Sequence, residues 1–198
     1  MTMLTTRLLL RPLTDDDDEF YCSLYTDPQV MQHVAPALSA ETASINFEKA
    51  LRGASQSPPL RHRWVLVERD SDDSVGLVGL DYEDLRAEVG ALLLLPHQGR
   101  GYAAEAIAAL TEVAFLKFGL TLLHTRHARI NGGAAGLMRK LGFAPAIPTD
   151  EKETECRWQL TAQQWCDSPY RSALPNQGEQ LQSPPVPVSC GCVSGDKN

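Results

Sequence analysis

The residues best able to do chemistry lie in one short stretch, Pro96-His97-Gln98-Gly99-Arg100-Gly101-Tyr102-Ala103. It follows an apolar run, Val89 to Leu95. It precedes a segment in which Ala103, Ile107, Leu110, Ala114 and Phe118 recur near helical spacing. A strand–turn–helix unit of this kind exposes unpaired backbone N–H groups at the positive end of a helix dipole. Glycines at 99 and 101 let the backbone approach a ligand closely, and Arg100 adds a mobile positive charge. The combination suits an anion, above all a pyrophosphate. It is not the dinucleotide fingerprint, because position 104 is alanine, nor a P-loop, because no Lys-Ser/Thr pair follows the last glycine. The same residues would serve equally well as a tight connection that binds nothing.

Such a turn has to be held by a sheet and helices, and the rest of the chain supplies them. Thr6 to Leu13 reads as a strand, and Thr14 as the N-cap of a helix that runs to about Tyr25 and breaks at Asp27-Pro28. The carboxylates from Asp15 to Glu19 suit the start of that helix better than they suit a docking patch for a cationic substrate. A second helix spans Ser39 to Leu51, followed by a loop from Gly53 to Pro59. The segments Arg63 to Arg69 and Val75 to Asp81 form a hairpin about a turn from Asp70 to Ser74. Glu88 to Leu95 is a third strand, whose leucines predict burial on both faces, as at the centre of a mixed sheet. The long helix covers Gly101 to Phe118 and stops at Gly119. Leu120 to Ala128 is a strand, and Asn131 to Leu141 a short helix closed by Gly142. Phe143 opens a last strand pair whose second member covers Thr154 to Leu160. Thr161 to Trp165 makes one helical turn, and Trp64, Trp158 and Trp165 read as packing residues. Helices that interrupt a largely antiparallel sheet define an α+β fold.

The chain has 198 residues, 43% of them hydrophobic, enough for one domain with a sizeable core. No apolar run approaches the ~20 residues of a membrane span. Arg7 and Arg11 fall inside and after the first apolar residues, unlike a signal peptide, so the cytoplasm is the expected compartment. A net charge of -7 and no basic stripe speak against a nucleic-acid partner. The acid excess attracts amines and opposes an anionic cofactor unless a local site offsets it. Five cysteines, Cys22, Cys156, Cys166, Cys190 and Cys192, form no disulfide framework, and Cys190-Gly-Cys192 has no matching pair for a metal. From Ser168 to Asn198 the chain is rich in Pro, Gln, Ser and Gly and reads as a disordered tail, leaving one domain over residues 6–166. Monomer and homodimer fit the sequence equally.

Four segments, in order, resemble the GNAT superfamily of N-acetyltransferases. Gln98 to Ala103 matches the family's pyrophosphate motif Q/R-x-x-G-x-G/A, and Ala87-Glu88-Val89-Gly90 is similar to the strand before it. Asn131 followed by Leu141-Gly142-Phe143 resembles the N-x(9)-L-G-F segment. Thr6 to Leu13 resembles the opening strand of the subgroup that includes the ribosomal-protein alanine/serine acetyltransferases. The resemblance implies a mixed, mostly antiparallel sheet with flanking helices and a V-shaped cleft for acetyl-CoA. The backbone of Leu93, Leu94 and Leu95 would pair with the pantetheine arm as an added strand. The N–H groups of Gln98, Gly99, Arg100, Gly101, Tyr102 and Ala103 would cradle the pyrophosphate. Asn131 would bond the pantetheine or hold the neighbouring turn, and Met138 would line the thiol end. No metal is implied.

The implied reaction is direct acyl transfer to a primary amine, either a protein N-terminus or a small molecule. The amine must be neutral to attack, so a base or a water relay helps. A strand N–H near Leu93 would stabilise the oxyanion. Glu88 is the first candidate base. His124 is the second candidate: histidine titrates in the right range, but His124 and His127 point to opposite faces of their strand, so at most one reaches the cleft. His97 reads as exposed. Two positions depart from the family: Met138 stands where many relatives carry a Tyr as thiolate acid, and Ala134 where many of the subgroup carry a Ser. Water then protonates the thiolate. The same departures admit a non-catalytic acyl-CoA-binding sensor or scaffold, and the turn alone admits a generic nucleotide-phosphate binder.

Overall fold

The computed structural model describes residues 1–146 and 154–172. Alternating side chains explain its architecture. In the strand Arg61–Glu68, Trp64 and Leu66 enter one core while Val65 and Val67 enter another. An open sheet thus separates two apolar layers. Its eight strands are β1 (Met3–Leu4), β2 (Leu8–Pro12), β3 (Arg61–Glu68), β4 (Ser74–Glu83), β5 (Arg86–Leu93), β6 (Leu122–Ala128), β7 (Ala144–Pro145) and β8 (Glu155–Thr161). They lie in the order β1-β2-β3-β4-β5-β6-β8-β7, and every neighbouring pair is antiparallel except β5 and β6.

One layer holds α1 (Asp18–Thr26), α2 (Pro28–Met31) and α3 (Ala40–Ala54), with Tyr21, Leu24 and Phe47 packed on Val65 and Leu77. The other is built on α4 (Tyr102–Leu116), whose Ala106, Ile107, Leu110 and Val113 meet Leu10, Leu80, Val89 and Leu123. Alanines on nearly every face of α4 let it lie close to the sheet, and Gly119, at φ 68, ends the segment in the left-handed region. The helix α5 (Gly132–Lys140) adds Met138 to the same core. Trp64, Trp158 and Trp165 are all buried.

Several boundaries differ from the sequence reading. The first helix begins with a 3₁₀ turn, Asp15–Asp17, because Asp17 turns inward to Arg11, 2.6 Å away, while its neighbours stay exposed. Asp27 caps the extra helix α2 by accepting from Gln29 N–H at 2.7 Å. The helix α3 runs on to Ala54, into the expected loop. The strand β5 ends at Leu93, so Leu94 and Leu95 lie beyond it. Burial on both faces is confined to its end, where Leu92 enters the α1–α3 core and Leu93 the α4 core.

Residues 168–172, expected in the disordered tail, are ordered here. After α6 (Ala162–Cys166), Ser168 is buried and Pro169–Ser172 forms α7. The rest of the expected tail, with Cys190 and Cys192, lies outside the described residues. Glu112 on α4 ties both helices down: Trp165 Nε1–H donates to it at 2.6 Å, and Arg171 donates through Nε and Nη2 at 2.8 and 2.9 Å. The Arg171 hydrogen bonds hold the Glu112 carboxyl below its ordinary value near 4.5, against burial. A depressed carboxyl stabilises the fold above its unfolded value and loses that contribution as pH falls through the folded one. Thermal melts should therefore be flat at neutral pH and fall steeply below about pH 4.5. Replacing Glu112→Gln should cost about 1–3 kcal/mol at pH 7 and flatten part of that acid limb. An unchanged melt at pH 7 would separate this anchor from stability.

Candidate active site

The parallel pairing of β5 with β6 covers three residue pairs, Arg86–Leu122, Ala87–Leu123 and Glu88–His124. Beyond Glu88 the two strands diverge, leaving a V-shaped cavity of about 530 Å³. Leu94 N–H donates to Val75 O at 3.0 Å. Antiparallel alternation therefore turns the main-chain groups of Leu92 and Gly90 to β4 as well, and those of Val89, Ala91 and Leu93 to the gap. Of the three leucines expected to pair with a ligand, Leu93 alone faces the gap. The Leu94 N–H is taken by β4, and Leu95 opens an exposed 3₁₀ turn, Leu95–His97. Leu93 O itself accepts from Gln98 Nε2 at 3.0 Å, so the Gln98 side chain fastens the following turn to the end of β5.

In that turn Gly99 and Gly101 take φ 71 and φ 86, in the left-handed region that favours glycine. Gly101 is the N-cap of α4, and the first intrahelical bond is Glu105 N–H to Gly101 O at 3.1 Å. The N–H groups of Tyr102, Ala103 and Ala104 thus have no intrahelical acceptor. A Cβ built on Gly99 would meet nothing within 4 Å, so the turn is open on that side. Left-handed glycines, free helix-end amides and open space fit an anion such as a diphosphate.

The side chains of the turn are less free than the sequence suggests. The Tyr102 ring is buried between the guanidinium groups of Arg7, 4.5 Å from its centroid, and Arg100, 5.0 Å away. Its hydroxyl donates to Glu68. That bond, with one from Ser71 and the nearby Arg100, holds the Glu68 carboxyl below its ordinary value. Arg100 sits 3.4 Å from Glu68, so its charge is shared with a carboxylate. His97 Nδ1 lies 3.4 Å from Arg100.

Glu88, Asn131 and Met138 all line the cleft, as does Ala103 at the start of α4. Arg126 Nε donates to Glu88 at 3.2 Å and Arg126 Nη1 lies 3.7 Å from Glu155, so the wall carries two carboxylates around one guanidinium. The proximity of Glu88 raises the Arg126 pKa. Asn131 caps α5, its Oδ1 accepting from Ala134 N–H at 3.0 Å, which leaves its NH₂ donors. Residues His33, Val34 and Ala35, following α2, also line the cleft.

Of the two strand histidines, His127 lines the cleft. It is buried, with Trp158 Nε1–H donating to its Nε2 at 2.8 Å and its Nδ1–H donating to Ala128 O at 2.9 Å. Both ring nitrogens are occupied by that network. His124 lies outside the lining, with Nε2 3.5 Å from Glu83 and no hydrogen bond between them. Sequence reasoning quoted Arg7 in a motif but gave it no role, and it passed over Arg126 and Glu155. Each acts through a partner remote in the chain, which spacing does not reveal.

The cleft is thus framed by a splayed parallel strand pair and a glycine-bearing helix start. The acetyltransferase (GNAT) domain family matches residues 7–144, and the chain belongs to that family of acyltransferases. It is 27% identical over 149 residues to p20, an uncharacterized N-acetyltransferase of Bacillus licheniformis, covering 72% of this chain and 82% of the relative. Spermidine N-acetyltransferase from Vibrio cholerae, solved with CoA and spermine, superposes with a TM-score of 0.69 at 20% identity, covering 82% and 99% of the two chains. RimL, a ribosomal-protein acetyltransferase solved with coenzyme A, superposes with a TM-score of 0.71 at 12% identity, covering 81% and 98%. These two share the fold.

Gly101→Asp would add a Cβ to a left-handed residue, at a cost of about 1–2 kcal/mol, and a carboxylate at the helix start. The variant should stay folded in a thermal melt and lose coenzyme A binding by calorimetry. Binding equal to the wild type would show that the turn is not the anion site.

Proposed function

We propose that this protein is an acetyl-CoA-dependent N-acetyltransferase that moves the acetyl group to a primary amine by direct attack on the thioester. The observation that carries the reading is the divergence of β5 from β6 directly before the open N-terminus of α4. Free amides there suit the diphosphate, and the gap-facing main chain of Val89, Ala91 and Leu93 suits the pantetheine amides. The Asn131 NH₂ donors and the Met138 side chain line the path of the arm.

The acceptor enters past His33, Val34 and Ala35. An amine arriving as ammonium has no lone pair and must lose a proton before attack. Glu88 takes that role, directly or through one water, because its carboxylate lies in the cleft and only one of its oxygens is engaged by Arg126. His124, held near Glu83 outside the lining, does not. A gap-facing N–H of β5 stabilises the oxygen that gains charge. Met138 and Ala134 offer no acid, so water returns the proton to the departing thiolate.

The acceptors of the structural neighbours, spermine for one and a ribosomal protein for the other, set the first panel: polyamines, peptides and small amines with acetyl-CoA, read by free-thiol release. Acceptor-dependent turnover is expected. Glu88→Gln should lower kcat about a hundredfold at neutral pH, and His124→Ala should leave it near the wild type. Coenzyme A binding with no turnover on any acceptor would favour a sensor instead.

A further inference from the structure

Glu105 is out of place in an anion site. It lies in the first turn of α4, directly after the free amides of residues 102–104, and is the acidic residue of that turn. A carboxylate there repels a diphosphate bound at the same helix end. Its surroundings answer the difficulty. Thr5 Oγ1 and the Arg7 main-chain N–H donate to Oε1 at 2.6 and 2.7 Å, and Arg7 Nε and Nη2 both reach Oε2 at 2.8 Å. Burial pushes the Glu105 carboxyl up, but the bonds from Thr5 and Arg7 outweigh it and keep the group ionised.

The same guanidinium also touches the turn. Arg7 Nη1 donates to Arg100 O at 2.9 Å, and Arg7 covers the Tyr102 ring. Its Nη2 stands 3.4 Å from where a Cβ on Gly101 would lie. A trans peptide points its C=O and the next N–H in opposite directions. Fixing Arg100 O toward Arg7 therefore aims the Gly101 N–H away from it, as a free donor.

We propose that Arg7 is a positioning residue for the coenzyme: it neutralises Glu105 beside the diphosphate site and sets the direction of the Gly101 N–H. The inference rests on the acetyl-CoA reading above. Arg7 acts through Glu105, 98 positions away in sequence, and through the turn, from the bend between β1 and β2. The device suits an acidic protein that must hold a polyanion, since it removes a local negative charge rather than adding a mobile positive one.

The test is coenzyme A binding by calorimetry, at low and high salt, for wild type, Arg7→Met, Glu105→Gln and the double variant. Arg7→Met should weaken binding about tenfold or more at low salt, and the loss should shrink as salt screens the exposed carboxylate. Glu105→Gln alone should bind at least as tightly as wild type. The double variant should recover most of the loss, and it is the salt dependence of that loss that separates charge compensation from a merely structural contact. Melting curves identify any variant that fails to fold, and Glu105→Gln then carries the sign of the effect by itself. Wild-type affinity in Arg7→Met, weaker binding in Glu105→Gln, or a double variant no better than Arg7→Met would each overturn the role. No binding to the wild type would overturn it together with the acetyl-CoA reading, whereas failure in the variants alone leaves that reading standing.

Discussion

Everything at the site depends on how early the parallel ladder between β5 and β6 stops. Three residue pairs hold the strands together, and then their unequal neighbours pull them apart: β5 stays with β4, and β6 stays with β8. Backbone groups left without a partner are costly unless water or a ligand satisfies them. The opening therefore exposes a row of main-chain groups at Val89, Ala91 and Leu93 in the middle of a sheet, where a ligand can act as a strand. Had the ladder continued to Leu93, the same residues would form an ordinary buried sheet with no cleft.

The second constraint is electrostatic. On the proposed reading, a chain with a net charge of -7 has to present a site for polyphosphate, and backbone dipoles and paired charges are what the turn offers. Around the turn, carboxylates at Glu105 and Glu68 are each met by a guanidinium, Arg7 and Arg100. At the other end of the cleft Arg126 sits between Glu88 and Glu155, so the region that would receive an amine keeps an acidic balance. Negative charge is thus compensated around the turn proposed for the anion and left in excess around Glu88 and Glu155.

Much of the fold was legible because local chemistry and tertiary structure agree. Gly99 and Gly101 marked a tight turn before the long helix, and both take left-handed backbone there. Ser39, Asn131 and Thr161 were plausible helix starts, and each caps one. The glycine turn ahead of a long helix was legible too, since its spacing is a local property of the chain. What stayed hidden depends on contacts between distant segments. The leucine run from Leu92 to Leu95 looks uniform, yet only pairing with Val75 tells which main-chain groups face the gap. His127 looked as available as His124 until Trp158 was seen to occupy it. The ordering of residues 168–172 rests on Arg171 reaching Glu112, which composition does not convey.

The most direct measurement is amide hydrogen exchange of the intact protein with and without coenzyme A. Exchange reports local protection of individual N–H groups, so it reads the proposed contacts themselves. The account predicts slowed exchange at Val89, Ala91 and Leu93 and at Gly101 to Ala104, with little change in β1 to β3. Protection confined to other elements, or none at saturating ligand, would contradict it.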